Sequence, residues 1–201
     1  MKILGYYNGH DASYAILENG IPILHNELER FNRKKFTSCD AYEWFKTKEN
    51  IDDIDYVANA HYFGTCRHVT EKPFKQISHH KAHAANAFYS SPFSDALILS
   101  IDGNGWSVEK NAEVSTCIHR GVSGKLLDTP ILESSSPNFG RIWHNTTTHV
   151  LNQPRGTEGT IMAVAALGQP KYCDDINFDT GDGLNLKEYY KTDQDKYDIA
   201  A

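Results

Sequence analysis

Two histidines and one aspartate are the residues of this chain best suited to hold a metal ion. His79 and His83 stand four residues apart in an alanine-rich stretch that favours a helix, so both imidazoles share one helix face. Asp102 follows the apolar run ALILSI, which is typical of a buried strand closed by an Asp-Gly turn. Open α/β sheets bind ligands at the carboxyl ends of their strands. The spacing predicts a divalent metal with positions left open for substrate oxygens.

The same three residues also have an ordinary structural interpretation. Histidines near the start of a helix cap backbone groups or face solvent, and aspartate before glycine is common turn chemistry. The pair of histidines lacks the additional catalytic glutamate of the HExxH zinc motifs. On the residues alone, a metal centre and a purely structural role therefore both remain open.

A polar turn near the start of the chain is a candidate phosphate site. Asn8, Gly9, His10 and Asp11 lie between two predicted strands. Gly9 allows close approach of the backbone to a ligand, and N–H groups beside His10 could receive a phosphate. The alternative is an ordinary loop.

A basic block follows this turn in the sequence ELERFNRKKF. A charge run is usually a solvated face, but its cations could neutralise an anionic substrate in a chain of net charge -6. The residues concerned are Arg30, Arg33, Lys34 and Lys35.

Glycines mark two further candidate contacts with a nucleotide or phosphate. Gly103 and Gly105 follow Asp102 and predict a tight phosphate-binding hairpin. Glu158 and Gly159 precede the apolar run IMAVAAL, so they would lie at a helix N-terminus that favours anions. Close helix packing is the alternative role for these small residues.

The remaining pattern predicts the elements that must position these residues. Residues 2–7, 12–17 and 21–25 form a β-meander, with a tight turn at Asn19-Gly20 and Pro22 on an edge strand. A helix at 40–50 buries Tyr42, Phe45 and the neighbouring Trp44, and a strand follows at 54–60. Ser78 is the expected N-cap of the histidine-bearing helix. Further predicted elements are a hairpin at 112–132 and helices at 139–151 and 161–167.

Composition sets the class of protein. The 201 residues suit one domain, or a domain with an extension, and the 40% hydrophobic fraction is typical of a soluble globular chain. Four scattered cysteines without a CxxC pair indicate reduced thiols in a cytoplasmic setting. The chain opens without a secretory signal, and no segment approaches the roughly 18 apolar residues of a membrane span. We expect no membrane association.

Four ordered blocks make the sequence resemble the N-terminal part of the O-carbamoyltransferases that modify nodulation factors, cephalosporins and aminoglycosides. The likeness covers about residues 3–172 and leaves 173–201 as a polar tail or the start of a missing second lobe. It implies an α/β fold: a lobe of the actin, sugar-kinase and heat-shock ATPase type, with a mixed sheet flanked by helices. The transferase that makes threonylcarbamoyl-adenosine in tRNA is also similar. The blocks are ILGYYNGHDASYAILENG, ELERFNRKKF, HHKAHAANAFYSSPFSDALILSIDGNG and EGTIMAVAALGQP.

The resemblance also implies roles for individual residues. A metal, usually iron although magnesium or manganese would suit a carboxylate, would be held by His79, His83 and Asp102. His10 and Lys35 would line the carbamoyl phosphate site. A further domain would make carbamoyl-adenylate from carbamoyl phosphate and ATP, and the metal-bearing lobe would pass the carbamoyl group to a hydroxyl. Asn8, His10 and Asp11 are the nearest candidates for orienting or activating that acceptor.

Departures from the family pattern define the competing hypotheses. Members of the family are more than twice as long, Phe36 stands where a histidine is common, and Thr160 stands where a lysine is usual. We therefore expect activity only with a complementary polypeptide that carries the second lobe and the adenylate-forming domain. The acceptor would be a hydroxyl-bearing small molecule or a modified nucleoside. The alternatives are a non-catalytic nucleotide- or metal-binding module and a sugar-kinase-like phosphotransferase.

Overall fold

The chain divides into two compact units, each described here by itself. The computed structural model describes residues 1–60, 72–172 and 192–201. The first unit comprises Met1–Asn86 and Gly105–Glu113, and the second comprises Ala87–Asn104 and Val114–Ala201. Three elements, α3 (His79–Tyr89), β6 (Ala96–Ser107) and β7 (Ala112–Val122), begin in one unit and end in the other.

The first unit is built on a five-stranded mixed sheet in the order β3-β2-β1-β4-β5. The meander β1-β2-β3 is antiparallel, whereas β4 pairs in parallel with β1 and β5 pairs in parallel with β4. The bounds of the strands are Lys2–Tyr7, Ser13–Glu18, Ile21–Glu27, Tyr56–Ala60 and Phe74–Ile77. The predicted meander is therefore confirmed, with Pro22 on an edge strand as expected.

Local sequence signals explain the turns and the helices of this unit. Asn19 and Gly20 both have positive φ angles, 52° and 85°, which a tight hairpin turn requires. α1 (Leu28–Asn32) is short, and α2 (Ala41–Lys46) begins at Asp40, whose carboxylate accepts two helix N–H groups. A 3-10 turn at Ile51–Asp53 precedes β4.

The core of the first unit joins the meander to α2. Side chains from alternate strand positions meet the buried face of that helix, which includes the predicted Tyr42 and Phe45, while Trp44 is partly buried against them. Rings dominate the contact, since Tyr14 lies edge-on to both Trp44 and Phe45. The aliphatic part of this core comprises Leu4, Ala12, Ile16, Ala41, Ile54 and Val57.

The second unit carries a four-stranded sheet in which β6, β7 (Ala112–Val122) and β8 (Lys125–Leu126) lie in that order. β9 (Leu132–Ser134) also pairs with β7. The hairpin turns at Ser123 and Gly124, both with positive φ. The predicted hairpin is confirmed, although its second strand is divided into two short pieces.

The turn predicted at Asp102-Gly103 is wrong. β6 continues through both residues and ends at Ser107, so Asp102 lies within the strand and not at its end. Neither Gly103 nor Gly105 has a positive φ angle, so the strand does not use them to reverse direction. The chain turns later, at the segment that includes Asn111 with φ 52°. The tight turn expected at these residues is therefore absent, and their predicted contact with a phosphate stays a prediction.

The helices of the second unit follow their predicted positions closely. α4 (Phe139–Asn145) begins at Asn138, whose side-chain oxygen accepts the N–H of Arg141, and it continues as a π-helix over Thr146–Val150. α5 (Gly159–Ala165) begins two residues earlier than the apolar run suggested. Among the described residues, no helix is both long and apolar enough to cross a lipid bilayer.

The C-terminal helix α6 (Asp193–Ala200) packs on this unit through one buried carboxylate. Asp198 accepts hydrogen bonds from the Lys171 ammonium, the Gln194 amide and the backbone N–H of Gln169. These bonds, with Lys171 the strongest, lower the pKa of Asp198 from its ordinary 3.8 to about 2. Ile199 adds an apolar contact to Val150. The predicted boundary at residue 172 stays a prediction, because residues 173–191 lie outside the described residues.

The predicted α/β class is confirmed. A mixed sheet opens with the β-meander, and α2 packs against β1 and β2. The strand order brings the polar turn after β1 and the end of β4 to neighbouring positions, because β1 and β4 are parallel neighbours.

We predict that Asp198→Asn lowers the midpoint of thermal unfolding at neutral pH by a few degrees. The folded state favours the charged carboxylate, so this stabilisation is complete above pH 4 and is lost as the pH falls from about 4 to about 2. Thermal unfolding of both proteins at several pH values measures the difference. The exposed Asp53→Asn is the control, and a difference that stays constant down to pH 2 contradicts the assignment.

Candidate functional site

The helix α3 brings together two imidazoles, as the spacing predicted. His79 and His83 lie one helical turn apart, and their Nε2 atoms are 3.0 Å from each other. The ring of His79 is buried at the start of the helix, whereas His83 is exposed. Two nitrogen donors therefore point at a common position from a rigid element.

Asp102 lies in β6, and its Oδ1 accepts the backbone N–H of Gly103 at 2.6 Å. The candidate ligand atoms of His79, His83 and Asp102 all lie within 4.8 Å of one another. Such a set, two neutral nitrogens and one carboxylate oxygen, is a common donor combination for divalent transition metals.

Glycines allow the close contacts around these candidate ligands. A Cβ atom at Gly105 would stand 2.6 Å from Cδ2 of His79 and 2.9 Å from Cδ2 of His80. A Cβ atom at Gly140, in the first turn of α4, would stand 2.3 Å from the backbone N of Gly103. A methyl group at Gly103 itself would meet only ordinary contacts. Gly105 is thus needed for the packing of β6 on the histidine rings. The predicted nucleotide contact of Gly103 and Gly105 stays a prediction.

Ser78 fixes the start of α3 to the segment that follows β6. Its hydroxyl donates to the carboxylate of Glu109 and accepts the backbone N–H of Val108 at 2.7 Å. The sequence suggested Ser78 only as an N-cap, and Glu109 was not singled out, because this bond joins residues 31 positions apart.

The turn after β1 is held by contacts that the sequence did not reveal. The Asn8 side-chain oxygen accepts the N–H of Ala41, at the first residue of α2, at 2.8 Å. A Cβ atom at Gly9 would overlap the phenol ring of Tyr7, at 2.2 Å from its hydroxyl oxygen. Nδ1 of His10 lies 2.8 Å from Oδ2 of Asp11, which has a φ angle of 60°. Asn8 therefore positions α2, and Asp11 orients the imidazole.

A series of rings connects this turn to the histidine pair. His10 stacks on Phe36 with ring centroids 4.5 Å apart and an angle of 8° between the planes. The Tyr7 ring lies 6.1 Å from the His10 ring and 6.0 Å from the His79 ring. Tyr7 was not among the predicted site residues; its position at the end of β1, next to the polar turn, was the available signal.

The basic block extends from α1 toward this turn. Arg30 forms an ion pair with Glu27 at 3.0 Å, and Arg33 ends α1 with φ 59°. The Lys35 ammonium is 3.9 Å from Glu29, and its side chain is 85% exposed. Lys35 directly precedes Phe36, so an exposed cation is next in the sequence to the ring that stacks on His10.

Glu158 and Gly159 stand at the start of α5. The carboxylate of Glu158 lies 3.0 Å from Nδ1 of His144, and its carbonyl accepts the indole N–H of Trp143. Burial raises the pKa of Glu158, but the bonds from His144 and from backbone N–H groups outweigh burial and lower that pKa. Gly159 is exposed. The nucleotide role of both residues stays a prediction.

Comparison with known proteins identifies the family. The family described as "Carbamoyltransferase N-terminus" matches residues 49–201, more than half of the chain. The chain belongs to this family. The recognition made from the four sequence blocks is therefore confirmed, and the matched range contains the His79, His83 and Asp102 set.

Two longer relatives share part of their sequence with this family member. An uncharacterized protein of Synechocystis sp. is 32% identical over 113 residues, which cover 55% of this chain and 17% of the relative. An uncharacterized protein of Methanocaldococcus jannaschii is 25% identical over 202 residues, which cover 94% of this chain and 37% of the relative. The chain thus spans well under half the length of either relative.

Two solved structures show a weaker likeness. Full-length HypF, crystallised in a phosphate- and nucleotide-bound form, has a TM-score of 0.46 at 13% identity, covering 80% of this chain and 24% of HypF. The Lmo2764 protein of Listeria monocytogenes, described provisionally as an N-acetylmannosamine kinase, has a TM-score of 0.42 at 11% identity. That likeness covers 81% of this chain and 69% of the Listeria protein.

We predict that Gly105→Ala lowers the free energy of unfolding by about 1–3 kcal/mol, because the new methyl group overlaps the His79 and His80 rings. Gly5→Ala is the matched strand control: in the part of the chain that the structure describes, no atom beyond the two chain neighbours lies within 4 Å of its Cβ position, so we expect a change within about 0.5 kcal/mol. Urea unfolding measures both variants. Equal stability of the two would show that the strand does not pack closely on these rings.

Proposed function

We propose that this chain is the metal-bearing part of an O-carbamoyltransferase. The enzyme would transfer a carbamoyl group from carbamoyl-adenylate to an acceptor hydroxyl. The observation that carries the proposal is the convergence of the ligand atoms of His79, His83 and Asp102 in a chain of the carbamoyltransferase N-terminus family.

The donor set fits a divalent transition metal. Two nitrogens that each lie about 2.1 Å from one ion, at right angles, are about 3.0 Å apart, and the Nε2 atoms of His79 and His83 have that separation. Imidazole nitrogens favour iron over magnesium and manganese, which suit oxygen ligands. When bound, such an ion supplies a Lewis acid that stabilises negative charge on a phosphate oxygen.

His10 is the residue best arranged to receive a proton from the acceptor. Asp11 holds the imidazole at Nδ1, and Phe36 limits rotation of the ring by stacking, so His10 is an oriented candidate for the general base. In the proposed transfer, the acceptor oxygen attacks the carbamoyl carbon, and the bond between that carbon and the adenylate phosphate oxygen breaks. AMP leaves with the electron pair, and the hydroxyl proton passes to His10.

The basic block would counter the charge of carbamoyl phosphate and of the adenylate. Lys35 is exposed and directly precedes Phe36, whose ring stacks on His10. Arg30 lies within α1, and Arg33 is the residue at which α1 ends. Surface ion pairs contribute little to stability, so Arg30 and Lys35 can leave Glu27 and Glu29 for a phosphate at little cost. Glu158 and Gly159 would contact the nucleotide at the start of α5.

Turnover would require more polypeptide than these residues provide. The chain covers only 37% of the M. jannaschii relative, so we propose a complementary polypeptide that carries the second lobe and makes carbamoyl-adenylate from carbamoyl phosphate and ATP. The acceptor would be a hydroxyl-bearing small molecule or a modified nucleoside. Scattered cysteines without a CxxC pair support a cytoplasmic location.

We predict that His83→Ala and Asp102→Asn each weaken iron(II) binding at least about tenfold, because losing a direct ligand costs no less than losing a supporting contact. His83 is exposed, so its truncation leaves the core of the first unit intact. Anaerobic titration with iron(II), with metal analysis of the purified chain, measures the effect. Exposed His25→Ala on β3 is the control.

Unchanged affinity for iron(II) in both variants would show that His83 and Asp102 do not bind the metal. Retained metal binding, with no carbamoyl transfer in the presence of the complementary polypeptide, carbamoyl phosphate and ATP, would instead favour a non-catalytic binding module. Phosphate transfer from ATP to a sugar without carbamoyl phosphate would favour a kinase.

We predict that Lys35→Met weakens binding of carbamoyl phosphate by about tenfold, the value of one charge-assisted hydrogen bond to a phosphate. Lys34→Met is the matched control, since it removes the same charge from the neighbouring exposed position. Calorimetric titration at constant ionic strength measures both variants. Equal losses would indicate a non-specific charge effect and contradict a defined phosphate site at Lys35.

A further inference from the structure

The candidate metal ligand His79 is the first residue of α3, so its position depends on how the start of that helix is held. Helix ends open more easily than helix centres, because their terminal backbone groups lack partners within the helix. His83 lies one turn further along, and the 3.0 Å between the two Nε2 atoms requires the first turn to stay formed. A contact that fixes this turn therefore acts on the geometry of both donors.

Ser78 connects this first turn to the segment that follows β6. Its carbonyl accepts the N–H of Ala82 at 3.0 Å, a hydrogen bond of the first helical turn. Its hydroxyl accepts the N–H of Val108 at 2.7 Å and donates to the carboxylate of Glu109. One buried residue thus joins the start of the helix to a segment about 30 positions later in the chain.

The imidazole of His79 packs against the same segment. Gly105 leaves the space that the rings of His79 and His80 occupy, since a Cβ atom at this position would stand 2.6 Å from the His79 ring. The Tyr7 ring lies 6.0 Å from the His79 ring, measured between centroids. Residues 105–109 therefore contact both the ring of His79 and the residue that precedes it.

We propose that Glu109 is a positioning residue for His79: through the Ser78 hydroxyl it holds the first turn of α3 in the geometry in which both histidines bind one metal ion. The proposal rests on the metal site proposed above and adds to it a residue that acts without touching the ion. Residues 78–83 and 105–109 all belong to the first unit. Partners that orient metal ligands in this way commonly contribute about 10–100-fold to metal affinity.

The chemistry of the three groups suits this role. A hydroxyl that accepts a backbone N–H has one proton to donate, and a carboxylate is among the strongest acceptors for it. The two bonds fix the Ser78 hydroxyl with its oxygen toward Val108 and its proton toward Glu109. Glu109 is exposed, so its truncation removes the acceptor without leaving a cavity in a core. Attraction between its charge and the cation is the competing explanation.

The experiment separates the acceptor of Glu109 from its charge by anaerobic titration with iron(II). Glu109→Ala removes both, whereas Glu109→Gln removes the charge and keeps an oxygen that can accept from Ser78. We expect Glu109→Ala to weaken iron(II) binding about tenfold, and Glu109→Gln to stay within about threefold of the wild type. Glu113→Ala, which removes a carboxylate from an exposed position of β7, is the matched control.

Two further measurements separate positioning from a general effect on folding. The visible absorption of bound cobalt(II) depends on its ligands and their geometry. We expect Glu109→Ala to change that spectrum and Glu109→Gln to preserve it. Ser78→Ala removes the hydroxyl itself, so adding Glu109→Ala to it weakens iron(II) binding no further, because both changes act through one hydrogen bond. Thermal unfolding confirms that each variant is folded at the temperature of the titration.

Wild-type affinity and an unchanged cobalt(II) spectrum in Glu109→Ala overturn the proposal. Equal weakening in Glu109→Ala and Glu109→Gln overturns it as well, because the effect then belongs to the charge, and so do additive losses at Ser78 and Glu109. Weakened binding in His83→Ala but not in Glu109→Ala removes this inference and leaves the proposed metal site intact. Absence of iron(II) binding by the wild-type chain contradicts both, so failure of the two proposals can be told apart.

Discussion

The close approach of the β6 backbone to neighbouring helices is the constraint on which the candidate site depends. Position 105 must lack a Cβ atom because the rings of His79 and His80 occupy that space. Gly140 must lack one because α4 begins against the backbone of Asp102 and Gly103. Protein interiors tolerate little overlap, so these contacts fix the imidazole of His79 and the backbone that carries the Asp102 carboxylate. Ser78 and Glu109 add a polar link at the start of α3.

The features that depend on local periodicity were predictable from the sequence. A spacing of four residues on a helix brought the nitrogens of His79 and His83 together, and Asn19-Gly20 produced the expected hairpin. The Asp102-Gly103 signal failed because glycine has two uses that look alike in a sequence: it permits positive φ angles, or it makes room for another group. The second use applies at Gly105, where the rings of His79 and His80 occupy the space. Gly103 serves neither use and continues the strand.

Distant contacts also explain why the polar turn after β1 was understood only in part. Its residue types suggested a ligand site, but the sequence could not show that Asn8 holds the start of α2 or that Tyr7 fills the space beside Gly9. Phe36 stood out as a departure from the family resemblance, which has a histidine there. Its ring stacks on His10, so a flat aromatic surface is retained although the additional titratable group is not. Stacking on Phe36 and the contact with Asp11 together orient the imidazole of His10.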